Sequence, residues 1–350
     1  MASILREHGR RPFLGAAIAI GLAIVDSAKA AETLGDDASI PERIAPGTRL
    51  VIGDPATQRA LQLSEELPKL PFTVEWANIS GGPQTIEAFR AGALDIGSVA
   101  DIPPIFATWT GLEVKVVAAK FRVDPINHPI YVIGTAPGSG IEKLEDLKGK
   151  KIAFSPGQAQ GALVLRVLKE LGLQRSEVQL IELPSVGDAY TSALASRLVD
   201  AAPIAEANQE RFMQNHSKDG AKSLSHGLRD DPSYLYLVKT TLKDPNKAAA
   251  VREYVRAWGR AARWVNQHPE EWAQGYYVKD QGLKADAARF LVQSNRVADV
   301  PTDWTDAIAR QQETDDLLAA ELNKPAIKAE TLFDRRFERV GGEAFAAVEP

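Results

Sequence analysis

Short apolar runs alternate with amphipathic segments along most of the chain. The helical spacing is clear between the second and third runs, where Ile86, Phe89 and Ala93 fall at i, i+3 and i+7. The alternation predicts strand–helix–strand units, and therefore a mainly parallel sheet with helices on both faces. The first four apolar runs, each predicted to be a strand, cover residues 49–53, 72–76, 93–99 and 114–118.

The same alternation returns after residue 130, so the half-patterns 54–120 and 140–210 predict two similar α/β lobes. Residues 31–47, which are polar, are predicted to form a loose arm. Further strands are predicted at 130–134, 151–154, 178–183, 199–204 and 234–238. Further helices are predicted at 159–171, 189–196, 247–265, 270–277, 284–295, 304–323 and 330–340.

The turn that follows the second predicted strand has the residues of an anion site. Gly81 and Gly82 allow unusual backbone angles, and Pro83 suits the first turn of a helix because its missing N–H costs nothing there. Asp101 is placed to cap the next helix. Each turn directs unpaired N–H groups and the positive end of a helix dipole towards one edge of the sheet, which attracts anions.

The first thirty residues predict export. Arginines precede a weakly hydrophobic run at 13–25, and Ala28-Lys29-Ala30 resembles a cleavage site. We therefore predict a signal peptide over residues 1–30, cleaved after Ala30, and a periplasmic location. Arg10-Arg11 with the residues around it also resembles a twin-arginine export motif.

The composition and the net charge limit which classes of partner the protein can bind. The chain of 350 residues is 45% hydrophobic and 25% charged, with a net charge of −5, which becomes −7 once residues 1–30 are removed. No basic face with interleaved aromatics is present, which argues against nucleic acid as a partner. We expect a monomer.

Enzyme motifs and cofactor motifs are missing from the sequence. Cysteine is absent, so a thiolate nucleophile and a thiolate metal site are excluded. The five histidines show no metal-ligand spacing, and no glycine-rich phosphate or dinucleotide motif is present. We predict no cofactor, no metal and no catalysis. Trp258, Trp264 and Trp272 could be a ligand-stacking set, but helical spacing favours core packing for Trp258 and a rim or surface position for the other two.

Three motifs resemble one family of transport proteins. The three motifs are Gly82-Pro83-Gln84, the segment 92–97 (GALDIG) and Asp101-Ile102-Pro103-Pro104. A further segment, 138–154, resembles the family's DLKGKK stretch. The chain resembles the solute-binding proteins of the nitrate/sulfonate/taurine ABC importers, of the aliphatic sulfonate-binding type.

That resemblance implies a periplasmic binding protein of type II, with two α/β lobes, a two-strand hinge and a ligand in the cleft between the lobes. We expect 48–136 with 229–350 to form the first lobe and 137–228 the second. The implied function is to bind a small organosulfonate or a related oxyanion. The implied partners are an ABC permease and its ATPase.

The resemblance also implies a set of binding residues. Asp54, Arg122 and Glu206 lie near the expected anion site. The alternative role is helix capping for Asp54 and Asp101, and a solvated position at the rim for Glu206. If two of the carboxylates face the cleft, a zwitterion such as taurine fits better, unless Arg122 offsets one of them. The second-lobe segment 202–206 lacks the aromatic residue that many family members have. Carried over from the family's motifs, the binding residues are Ser80, Gly82, Gln84, Asp101, Gln158, Gln160 and Gly161.

Two other functions stay open at this stage. A sulfinate-hydrolysing enzyme that resembles these binding proteins uses a cysteine nucleophile, which this chain lacks. A ligand sensor without a transport role would bind the same kind of ligand but have no permease partner.

Overall fold

The computed structural model describes residues 33–295 and 297–347, apart from the side chain of Glu206. The predicted signal peptide and its cleavage site therefore lie outside the described residues. The strands are β1 (Arg49–Gly53), β2 (Thr73–Trp76), β3 (Ile96–Val99), β4 (Val114–Arg122), β5 (Tyr131–Thr135), β6 (Lys151–Phe154), β7 (Gln179–Glu182), β8 (Ala201–Ala205), β9 (Ser223–Leu224), β10 (Ser233–Val238) and β11 (Ala298–Asp299).

Helices connect most of these strands, and the longest of them follow β10. Within the described part of the chain, no helix is long and apolar enough to cross a membrane. The helices are α1 (Pro55–Leu63), α2 (Gly82–Arg90), α3 (Ile102–Trp109), α4 (Ala159–Glu170), α5 (Ala189–Ala195), α6 (Glu206–His216), α7 (Pro245–Gln267), α8 (Pro269–Trp272), α9 (Ala285–Asn295), α10 (Thr305–Leu322) and α11 (Val340–Ala346).

The strands form two sheets with related orders. The six-stranded sheet runs β11-β4-β10-β3-β1-β2 and the five-stranded sheet runs β7-β6-β8-β5-β9. In each sheet one antiparallel strand, β10 or β5, is inserted next to the third parallel strand. We call the elements around the six-stranded sheet the first lobe and those around the five-stranded sheet the second lobe. The predicted type II α/β fold is confirmed.

Two segments carry the chain between the sheets, residues 123–130 and 225–232. Asp230 accepts hydrogen bonds from the backbone N–H groups of Ile130 (2.8 Å) and Tyr131 (2.7 Å). Asp231 accepts one from the N–H of Arg122 at 2.9 Å. The two neighbouring carboxylates, which lie near the end of the second crossing segment, thus bind both ends of the first one. The predicted lobe boundaries near residues 136 and 228 stay predictions.

The core explains why the strands form where the apolar runs predict them. Leu50, Ile52, Ile96, Tyr234 and Tyr236 have no exposed surface, because both faces of the central strands are covered by helices. The long helix α7 buries its apolar face against this sheet through Val251, Tyr254 and Trp258.

Several predicted elements are wrong in their boundaries or in their type of secondary structure. Residues 93–95 precede β3 rather than belonging to it, and the Asp95 side chain there accepts from the Val51 N–H (2.8 Å) and the Lys247 ammonium (2.6 Å). The predicted helix 330–340 is two short 3₁₀ turns before α11. Helix α6 and the short strands β9 and β11 were not predicted.

The predicted loose arm is also wrong where the structure describes it. Ile40 is only 8% exposed and belongs to the main core. The Arg252 guanidinium, which projects from α7, donates to the carbonyls of Ile40 (2.9 Å) and Pro41 (2.8 Å). The arm therefore lies against the first lobe, held by backbone acceptors that its polar sequence does not reveal.

Candidate ligand-binding site

The carboxyl ends of the parallel strands lie at the same edge of each sheet as the crossing segments. Ser233, which follows one crossing, pairs with Lys120 near the end of β4. Tyr131, which follows the other, pairs with Ala205 at the end of β8. Ligands of open α/β sheets bind beyond this edge. The crevice between the two edges is therefore the candidate site.

The turn before α2 and the loop before α4 meet across this crevice. A Cβ placed on Gly82 would lie 2.8 Å from the Gly157 carbonyl oxygen and 2.7 Å from Pro103 Cγ. A Cβ on Gly81 would lie 3.4 Å from Gln158 Oε1. The structure thus brings together the two loops that the sequence analysis placed on opposite walls, and the lobes are closed on each other at this point.

Both helix N-termini at this contact lack a side-chain cap. Gly81, with φ +83°, occupies the N-cap position of α2 and has no side chain that could accept a hydrogen bond. Gln158 occupies the N-cap position of α4, and its side chain accepts no hydrogen bond from the helix. Ser80 and Gln84 are exposed, whereas Gln158 and Gln160 are half-buried. Uncapped N–H groups and the helix dipoles create a positive potential in the crevice.

Gly161 has a packing role in the structure. It is buried in the first turn of α4, and a Cβ there would lie 2.0 Å from the carbonyl oxygen of Ser155. Only glycine lets α4 pack this closely on its own preceding loop. The structure therefore explains Gly161 without a ligand contact.

Asp54 caps α1, which is the alternative role that the sequence predicted for it. Its Oδ1 accepts from the Thr57 N–H at 3.1 Å, and the residue is only 4% exposed. Oδ2 is buried and has no hydrogen-bond partner within the described residues. Burial raises the pKa of this carboxyl, so the neutral form is favoured relative to an exposed aspartate. Asp54 accordingly presents less negative charge to the crevice than its sequence indicates.

Asp101 does not cap α3, so that prediction is wrong. Its side chain makes no hydrogen bond to the helix, and its Oδ2 instead lies 2.8 Å from the Arg166 guanidinium. The Thr314 hydroxyl donates to the same oxygen at 2.8 Å. Because Arg166 projects from α4, the carboxylate of Asp101 forms an ion pair between the lobes.

Arg122 and Glu206 complete the predicted set. The Arg122 guanidinium donates to the carbonyls of His128 (3.0 Å) and Pro129 (2.7 Å), so it braces the first crossing segment. Glu206 is the first residue of α6, and its side chain lies outside the description.

The second lobe contributes polar residues that the sequence analysis missed. A cavity of about 60 Å³ lies beyond the ends of β7 and β8. The hydroxyls of Tyr190 and Ser185 are buried there, and within the described residues neither makes a hydrogen bond. Burial raises the pKa of Tyr190, which keeps its hydroxyl a neutral donor. Ser185 could have been found from its place three residues after the end of β7. The polar residues that line this cavity are Tyr131, Gln160, Ser185, Tyr190, Thr191 and Asn208.

Two similar α/β lobes, each with an exchanged antiparallel strand and with facing carboxyl edges, define the bilobal class of periplasmic binding protein folds. Within this class, the chain belongs to the NMT1/THI5-like family, whose model matches residues 73–272. The resemblance found in the motifs is therefore confirmed.

Curated relatives carry sulfonate-binding names. A putative aliphatic sulfonates-binding protein of Escherichia coli is 39% identical over 106 residues, which is 30% of this chain and 32% of that protein. A protein of the same description from Bacillus subtilis is 28% identical over 247 residues, 69% of this chain and 70% of that one. The chain thus aligns with only about a third of the E. coli relative's length.

Solved structures share the fold. The alkanesulfonate-binding protein SsuA from Xanthomonas axonopodis pv. citri, bound to MOPS, has a TM-score of 0.68 at 22% identity, covering 82% of this chain and 99% of that chain. The desulfurization enzyme DszB has a TM-score of 0.57 at 15% identity, covering 84% of this chain and 98% of that chain. The fold therefore includes both binding proteins and an enzyme.

Proposed function

We propose that this protein is the extracytoplasmic substrate-binding component of an ABC importer, which binds a small organosulfonate between its lobes. The contact of the Gly81 turn with Gln158 carries the proposal, because it brings two uncapped helix N-termini to one crevice. Neutral N–H, amide and hydroxyl donors suit a weakly basic sulfonate, which needs hydrogen bonds more than a buried counter-ion.

The state of the carboxylates favours a simple sulfonate over a zwitterion. Asp54 is buried with a raised pKa, and Asp101 is paired with Arg166. Burial disfavours the charged form of Asp54, and Arg166 compensates the charge of Asp101, so an ammonium group on the ligand gains little from the carboxylates at these two positions. Taurine should accordingly bind no better than ethanesulfonate.

Calorimetric titration of the purified protein tests the proposal. We expect methanesulfonate and ethanesulfonate to bind one to one, and Gln158→Ala and Gln84→Ala each to weaken binding about tenfold, since a hydrogen bond to an ionised group is worth about 1.5–3 kcal/mol. Gln179→Ala is the matched control, because Gln179 is exposed at the opposite end of its strand, and it should change nothing.

Unchanged affinity in both glutamine variants would contradict the site. Absence of binding by every sulfonate would contradict the function. Nitrate and sulfate belong in the same titration, because they carry similar oxyanions without an organic part.

The transport role has its own test. We propose a periplasmic location, export with removal of the signal peptide after Ala30, and delivery of the ligand to a membrane permease driven by an ATPase. The protein would then bind its ligand without consuming it, so NMR spectra of a sulfonate incubated with the protein should stay constant. Release of sulfite or a desulfonated product would favour an enzyme of the DszB kind.

A further inference from the structure

A second cavity, of about 270 Å³, lies in the first lobe beside the crevice. Its floor and walls come from β4, α1, α7 and the residues that follow α7, and most of its lining is apolar. The chain continues after α8 as a π-helical stretch, Ala273–Val278, a rare conformation that often marks functional sites. The aromatic residues that line the cavity are Phe121, Trp258, Trp272, Tyr276 and Tyr277.

The cavity adjoins the crevice at two places. Thr57 lines the cavity, and its N–H donates a hydrogen bond to Asp54 at the start of α1. Ile130 also lines it, while the next residue, Tyr131, lines the small polar cavity of the second lobe. The aromatic cavity and the polar cavity therefore flank one short stretch of the crossing segment.

The arrangement of the rings favours a flat guest. Trp272 and Tyr276 are stacked with their centroids 4.5 Å apart and their planes at 8°. Trp272 is only 9% exposed, which corrects the prediction that it lies at the rim or surface. Tyr277 meets Trp272 edge-on at 6.4 Å, so the wall is a cluster of rings held in the two arrangements that aromatic pairs prefer.

Positive charge lies at the same cavity. Lys120 Nζ is 5.2 Å from the centroid of the Trp258 ring, and Arg122 lines the cavity where β4 ends. An apolar cavity of about 150 Å³ is large enough to admit benzene in another protein. A cavity of about 270 Å³ has room for one substituted ring. Its lining carries two cations and one carboxylate, that of Asp231, which is itself paired with Arg229, so the balance of charge favours a guest that carries negative charge.

We propose that this cavity receives the ring of an aromatic sulfonate whose sulfonate group is held in the crevice. The inference rests on the proposed function and adds the class of substrate: a sulfonate with a ring rather than a short alkyl chain. The aromatic wall comes from the first lobe, whereas the sequence analysis looked for it in the second.

Titration of the purified protein with benzenesulfonate and methanesulfonate tests the inference. Benzenesulfonate should bind at least about tenfold more tightly, because burial of an aromatic ring contributes that much or more. In Ala262→Phe, which adds a ring inside the cavity from α7, the ratio of the two affinities should fall to near one. Tyr276→Ser, which removes a wall residue, is a second variant with the same expected result.

Trp264→Ala is the matched control. Trp264 also projects from α7 but stacks on His268 and lines a different cavity, so the affinity ratio should stay at the wild-type value. The inference would be overturned if the wild type bound both sulfonates with equal affinity. It would also be overturned if the affinity ratio were unchanged in a folded Ala262→Phe or Tyr276→Ser protein. Either result would leave the proposed function intact. If the wild-type protein bound neither sulfonate, the proposed function would be overturned instead.

Discussion

Three glycines at the crevice have different physical roles. Gly81 has a positive φ of +83°, which other residues adopt only with strain. Gly82 and Gly161 have ordinary backbone angles and are required by space, since any side chain would contact a neighbouring backbone atom. The sequence analysis gave both Gly81 and Gly82 a conformational role. It was right for Gly81 alone, because close approach between distant segments cannot be read from local sequence.

Gly161→Ala should destabilise the protein. The added methyl group would lie 2.0 Å from the Ser155 carbonyl oxygen, which cannot move away without shifting the loop that carries Gln158. We expect the free energy of unfolding to fall by about 2 kcal/mol or more. Urea titration followed by circular dichroism measures it.

Gly35→Ala is the control, because the nearest atom to its added Cβ is 3.9 Å away. It should change the free energy of unfolding by less than about 0.5 kcal/mol. Equal stability of the wild type and Gly161→Ala would show that the loop before α4 can move aside.

At the scale of elements, helix α10 shows what periodicity alone conceals. The sequence analysis predicted a helix at 304–323, close to Thr305–Leu322, but not that its buried face is polar. Gln311, Thr314 and Asp315 are each about 1% exposed. Gln311 donates to the carbonyl of Asp101 at 3.0 Å and to Asp315 at 2.7 Å, so α10 meets α3 through hydrogen bonds.

Asp315 should make stability depend on pH. Burial, together with the negative charges of Asp101 and Asp316, raises its pKa from 3.8 to about 7. The folded state therefore holds this proton more tightly than the unfolded chain does, and stability falls as pH rises from about 4 to about 7. A rise of that size in pKa corresponds to about 4 kcal/mol of unfolding free energy.

Asp315→Asn should remove this contribution, because an amide does not titrate. Urea unfolding at several pH values between 4 and 8 would compare the two proteins. We expect the stability of the wild type relative to the variant to decrease with pH across this range and to level off above pH 7. A constant difference between the two proteins would contradict the assignment. Arg166 and Tyr234, the other titratable groups near Asp101 and Asp315, are the same in both proteins.

At the scale of the whole molecule, contacts at several places hold the two lobes closed. Arg166 of α4 pairs with Asp101 and also contacts Thr314. Arg175 donates to the Glu321 carbonyl at 2.8 Å. Arg211 of α6 donates to the Gln281 carbonyl at 3.1 Å. A ligand that contacts both walls adds to the same closure.

Arg166→Ala should shift the protein towards an open arrangement of the lobes. The Asp101 side chain is only 4% exposed, and removal of its partner leaves a buried charge that opening would return to water. We expect a larger radius of gyration by small-angle X-ray scattering without ligand. If the closed population falls to about a tenth, the affinity for a sulfonate should fall about tenfold.

Saturating ligand should restore the wild-type radius of gyration in this variant. Arg256→Ala is the control, because Arg256 pairs with Glu253 on the surface of a single helix, and it should not change the scattering. A radius unchanged by Arg166→Ala would show that the ion pair does not determine closure.

The sequence by itself determined the order of the main strands and helices, the division into two α/β lobes, the family and the two loops that meet at the crevice. These follow from local information: apolar spacing, turn residues and short motifs. Only the tertiary structure decided the state of Asp54, the pairing of Asp101 with Arg166, the packing role of Gly161 and the aromatic cavity. Each of these depends on residues far apart in the chain that share one small space, and neither burial nor distance is encoded in any single stretch.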